Sequence, residues 1–204
     1  MGKSSGTDGG GRKFPEKGFQ KDIKIKNPRD LATIKDNAVY REMKQGISRY
    51  HAVMGVRERS IKLADLPSDI YGAQTSVNGQ GTGIYLNANI YDNLSRKGIK
   101  EKVNKSYDSG WSTRTNKPIQ HTITHELAHA TWNSDMKSAN AKAAGKEINK
   151  LGIQWLNDKK RKGYGKYAES SVDEFWAEVV AKAVHGTPDK YTRRAKAIAK
   201  KYKL

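Results

Sequence analysis

With no cysteine in 204 residues, the chain can form neither a disulfide nor a thiolate metal site. Lys and Arg number 39 against 21 Asp and Glu; the net charge of +18 favours polyanions or acidic partners. The length suits one domain with a real core, and no apolar run is long enough to cross a bilayer.

Residues 1–20 are glycine-rich and poor in apolar side chains, which predicts a flexible basic leader without the apolar centre of a signal peptide. A single domain is expected over 21–186, followed by a basic amphipathic helix over 187–204. Compartment stays open, with cytoplasm and virion both compatible. Within the domain, Asn37 to Val56 reads as a helix, with Val39, Met43, Ile47 and either Tyr50 or His51 facing the core. Ser60 to Leu66 reads as a strand. From Gly83 to Tyr91, Ile84, Leu86, Ala88 and Ile90 alternate with Tyr85, Asn87, Asn89 and Tyr91, the period of a half-buried strand. Such a strand at a sheet edge could bind an extended peptide through its backbone, with Tyr85 and Asn87 as substrate-contacting residues. An interior hairpin strand is the alternative. Ser95 to Lys117 is expected to be a basic, exposed connection.

Asn116 and Pro118 then signal a helix start. Ile119, Ile123, Leu127 and Ala130 form one apolar stripe along it, and His125 and His129 point away from that stripe. His125-Glu126-Leu127-Ala128-His129 can therefore place two imidazoles on one metal ion, with Glu126 beside the water the metal activates. The plainer alternative is a surface helix with solvated histidines. His121, one turn earlier in the same row, is expected at the rim rather than as a ligand.

A catalytic zinc needs a third protein ligand. The histidine that would follow six residues after His129 is missing, since Asp135 stands there. The cluster from Tyr167 to Glu178 reads as the start of a second helix that runs to His185 and stops at Gly186, with Glu174 and Glu178 on the side opposite a broad apolar face. Ala177 and Ala181 would let it approach the histidine helix. Glu174 also fits a capping box with Ser171, and Glu147 is a rival ligand.

HELAH followed by Tyr167, and by Glu174 in Glu174-Phe-Trp-Ala-Glu178, resembles the catalytic domain of anthrax lethal factor and its relatives. Related zincin domains occur in bacterial toxins and phage head-associated proteins. The resemblance covers residues 119–185 only. It implies an α+β zincin-like metallopeptidase, a small mixed or antiparallel sheet packed on helices that include the HExxH helix. It also implies Zn2+ held by His125, His129 and Glu174, with Glu126 as general base and Tyr167 as donor to the reacting carbonyl. Ala128 in place of a glycine, Ala168 after the tyrosine and Trp176 in place of phenylalanine depart from the pattern without removing a reactive group. Glu178 or Glu169 could orient a ligand histidine from behind, and Glu178 shares the helix face of Glu174.

Thr187 and Pro188 are expected to open the last helix, with Tyr191, Ala195, Ile198 and Tyr202 along one side and basic residues around them. The function expected is zinc-dependent hydrolysis of a protein or peptide substrate, in a toxin or phage setting. The alternative is a basic packaging or nucleic-acid-binding protein with a degenerate peptidase-like fold.

Overall fold

A computed structural model describes residues 12–14, 25–55, 60–68, 70–77, 80–133 and 138–204. Strand β1 (Lys26–Asp30) leads into helix α1 (Asn37–Met54), then β2 (Ile61–Asp65), β3 (Gly72–Val77) and β4 (Gln80–Asn87). Helices α2 (Ala88–Tyr91), α3 (Arg96–Asp108), α4 (Pro118–Asn133), α5 (Ala139–Asn157), α6 (Val172–His185) and α7 (Lys190–Tyr202) follow. A 3-10 turn, Lys166–Glu169, precedes α6.

The sheet is four-stranded in the order β1-β2-β4-β3. Its outer pairs, β1 with β2 and β3 with β4, are antiparallel, while β2 and β4 run parallel. Ile61 pairs with Ile84 and Leu63 with Leu86, so these four share the face buried against the helices. Lys62, Ala64, Tyr85 and Asn87 take the opposite face, where Ala64 and Leu66 gather Ile25, Ile70 and Tyr85 into a small separate cluster. The α+β class is thus observed, with a mixed sheet on one side of a helical core.

The strand expected over Gly83–Tyr91 differs in two ways. It begins at Gln80 and stops at Asn87, whose side-chain oxygen accepts from the Asn89 N–H and turns the chain into α2. It is also the interior hairpin strand given as the alternative, paired with β2 and β3, so among the described residues the sheet's edges are β1 and β3. The segment 95–117, expected as an exposed connection, contains α3. Ser95 caps it, and Ile99, Val103 and Tyr107, spaced by four, bury a narrow stripe despite the surrounding lysines.

Helix α6 is the innermost element. Phe175, Trp176, Ala177, Glu178, Val179, Val180 and Ala181 are all buried, because α4, α1, α5 and α7 surround it. Its most extensive helix partner is α4, and the alanines at 128, 177 and 181 are fully enclosed. Helix α7 packs on α5 and α6 through Tyr191, Ala195, Ile198 and Ala199, and therefore belongs to the same body. Its start is set by Asp189 and Thr192 in a reciprocal capping box, rather than by Thr187 and Pro188. Residues 12–14, inside the expected leader, are docked: the Phe14 ring lies 6.1 Å from that of Phe175, and Arg12 pairs with Glu169. The rest of 1–20 falls outside the described residues. No helix among those described is long and apolar enough to cross a membrane.

Candidate metal centre

The site forms where the polar row of α4 meets the first turn of α6. Residues four apart on a helix stand one above the other; the His125 and His129 Nε2 atoms converge to 3.1 Å. Opposite them, the Ser171 hydroxyl accepts the Glu174 N–H at 3.1 Å and fixes the start of α6. This is the serine half of the capping box. The Glu174 carboxylate is spent elsewhere: its Oε2 lies 3.1 Å from His125 Nε2 and 3.2 Å from His129 Nε2. His125, His129 and Glu174 thus form a possible metal-binding triad. Two ring nitrogens facing each other across 3.1 Å cannot both offer lone pairs without a proton or a cation between them.

One turn along α6, the buried Glu178 reaches the far side of His125. Its Oε1 is 3.1 Å from His125 Nδ1, and its Oε2 is 3.4 Å from His121 Nε2. A proton on Nδ1 bonded to Glu178 fixes the tautomer that leaves the Nε2 lone pair facing the triad. Burial disfavours the imidazolium of His125, yet the bonds to Glu174 and Glu178 outweigh it and raise its pKa well above the ordinary value. Burial likewise opposes ionised Glu174 and Glu178, and the neighbouring histidines win, holding both carboxyls well below their usual range. His121 is buried against Glu178 rather than standing at a rim.

Glu126 is 8% exposed, and burial raises its pKa although His125 and His129 pull the other way. A carboxyl with a raised pKa is better matched to proton transfer near neutral pH. The edge strand comes down directly on it: a Cβ on Gly72 would sit 2.5 Å from Glu126 Cδ. Glycine lets β3 pass this close without displacing the carboxylate. Tyr167, in the 3-10 turn, stacks on the His125 ring at 5.8 Å with 19° between planes. Burial and then the Glu174 carboxylate raise its phenol well above the ordinary value, which keeps the hydroxyl a donor.

The remaining expectations separate cleanly. Glu147 bonds Lys201 and Tyr202 between α5 and α7, so it is not a ligand. Glu169 is held by Arg12 and Arg161 at 2.6 Å each, which leaves Glu178 as the carboxylate behind His125. The two substrate-contacting candidates on β4 are misplaced. Tyr85 packs with Ala64 and Leu66 on the sheet face away from the helices. Asn87 is fully buried and donates to the carbonyls of Pro67 and Ile70. Two further residues border the site without a motif to mark them: Gly72, against Glu126, and Trp111, whose ring lies 5.5 Å from that of Tyr167. Trp111 had one visible signal, a tryptophan in a polar, basic stretch.

Comparison of the chain with protein families, with curated proteins and with solved structures finds no match.

Proposed function

We propose that the protein is a zinc-dependent endopeptidase with a zincin-like domain. The observation that carries this reading is the convergence of His125 Nε2, His129 Nε2 and Glu174 Oε2, at separations of 3.1, 3.1 and 3.2 Å, beside the buried Glu126. Nitrogen and oxygen ligands about 2.0–2.1 Å from a tetrahedral zinc stand about 3.3 Å apart, so the donor set fits that ion. When bound, zinc lowers the pKa of water and polarises a carbonyl, leaving a fourth position for the reaction.

The side chains divide the remaining work. Glu126 accepts a proton from the attacking water and passes it to the leaving amine. The Tyr167 hydroxyl donates to the oxyanion that develops on the scissile carbonyl. Glu178 holds the His125 ring in its tautomer and orientation. Strand β3, an edge of the sheet among the described residues and the one beside Glu126, takes the peptide-binding role expected of β4, its outer backbone groups offering hydrogen bonds to an extended chain. A toxin or phage-head setting is part of the same proposal and rests on the motif resemblance.

Metal analysis with peptide cleavage tests this reading. Wild type should carry one zinc and cleave peptides, Glu126→Gln should keep zinc without cleaving, and Glu174→Ala should lose zinc. Stoichiometric zinc in Glu174→Ala would remove the third ligand from the scheme. A second reading, a basic nucleic-acid-binding protein, draws on the net charge of +18 and on exposed Arg193, Arg194 and Lys200 of α7. Metal-free protein binding DNA with a steep salt slope would favour it.

A further inference from the structure

Trp111 is the one large hydrophobic side chain left exposed among the described residues, with half of its surface open to solvent. It does not hang from a loose loop. The Tyr167 N–H donates to the Trp111 carbonyl at 2.8 Å, and the Lys166 N–H donates to the Gly110 carbonyl at 3.0 Å. The Gly165 N–H donates to the Thr113 hydroxyl at 3.1 Å. At Gly165 the two segments touch so closely that a Cβ would lie 2.2 Å from the Trp111 oxygen. The backbone that bears the indole is therefore clamped to the turn that bears Tyr167.

The rings continue this arrangement. Trp111 and Tyr167 have centroids 5.5 Å apart, tilted by 36°, and Tyr167 stacks in turn on His125. Three aromatic rings thus run from solvent to the metal-binding triad. Leaving an indole face in water forgoes the favourable burial of a large apolar surface, and a rigid ring beside a binding site supplies contact area at little entropic cost. Trp111 is two ring contacts, of 5.5 and 5.8 Å, from His125. An extended peptide advances about 3.3 Å per residue, so a long side chain one or two residues from a carbonyl at the triad has the reach to meet this ring.

We infer that Trp111 is a specificity-determining residue, the platform for an apolar or aromatic substrate side chain one or two positions from the cleaved bond. The inference rests on the zinc peptidase reading, and its test separates the two. Zinc content and dissociation constants are measured for the full chain, Trp111→Ala and Trp111→Phe. The probes are short peptide hydroxamates in two series, with the chelating group at either end, that differ by phenylalanine or glycine at the first or second residue.

In wild type, at least one phenylalanine compound should bind about tenfold tighter than its all-glycine counterpart, the scale of one well-buried aromatic contact. Trp111→Ala should erase that preference while leaving zinc content and glycine-compound affinity unchanged, and Trp111→Phe should keep most of it. Absence of any phenylalanine preference in wild type, or an undiminished one in Trp111→Ala, overturns the inference and leaves the peptidase reading standing. An equal fall for all compounds also overturns it, because Trp111 would then act on the turn and not on the ligand. Wild type without zinc or hydroxamate binding would end the peptidase reading, and this inference with it.

Discussion

Replacing Gly72 with alanine would drive a methyl group into the side chain of Glu126. Its Cβ would lie 2.5 Å from Cδ, 2.6 Å from Cγ and 2.8 Å from Oε1 of the glutamate. Comfortable carbon contacts begin near 3.5 Å, so the carboxylate must withdraw by about 1 Å. The atoms in collision are the end of a jointed side chain rather than backbone. The fold should absorb the change at a cost of about 1 kcal/mol or less, partly offset by the lower entropy of an unfolded alanine. Proton transfer tolerates such a shift poorly, since about 1 Å of misplacement costs about a hundredfold in rate. Peptide-cleavage kinetics, zinc analysis and thermal unfolding should therefore disagree with one another: kcat/KM falls about a hundredfold, zinc stays stoichiometric, and Tm moves by only about 2–4 °C. Wild-type kcat/KM in Gly72→Ala would refute the reasoning, because a displaced Glu126 could not then be the base. Loss of zinc would refute it differently, by showing that α4 recoils instead of the carboxylate.

Glu178→Gln should weaken zinc binding by about 10–100-fold in a competitive chelator titration, with the circular dichroism spectrum unchanged, because the bond that fixes His125 is weakened and the ligands stay. Tyr167→Phe should lower kcat by about a hundredfold or more at unaltered zinc content, the signature of a lost oxyanion donor. Burial, then the electrostatic influence of His121, Arg49 and Lys117, holds the His185 pKa down to about 3 against an ordinary 6.5. The unfolded chain therefore takes up a proton that the folded ring refuses. The stability this ring contributes is complete above pH 6.5 and declines as pH falls from 6.5 toward 3. Denaturant unfolding across that window should show a shallower acid decline in His185→Gln than in wild type.

The parts of the site that were legible in the sequence are those governed by local geometry. An i, i+4 histidine pair needs only a helix, and the apolar stripe at 119, 123 and 127 fixes which way that helix faces. Ser171 sets the phase of α6, and with it the position of Glu174. What stayed hidden depends on partners far along the chain. The β3 segment lacks a strong apolar alternation, so its edge position follows only from its pairing with β4. Asn87 and Tyr85 read as outward strand residues, but one serves a turn and the other a second small cluster. The choice between Glu178 and Glu169 was made by two arginines, at 12 and 161, whose capture of Glu169 no local pattern signals.

The enclosure of α6 has a mechanical consequence. Glu174, the candidate ligand of α6, is anchored to a rod packed by four helices, and α4, which bears the two candidate histidines, is among them. A cation held by the proposed triad would then sit between two helices that are packed against each other. Any mutation that loosens the rod's packing, however distant from the imidazoles, should register as a change in metal retention before it registers as unfolding.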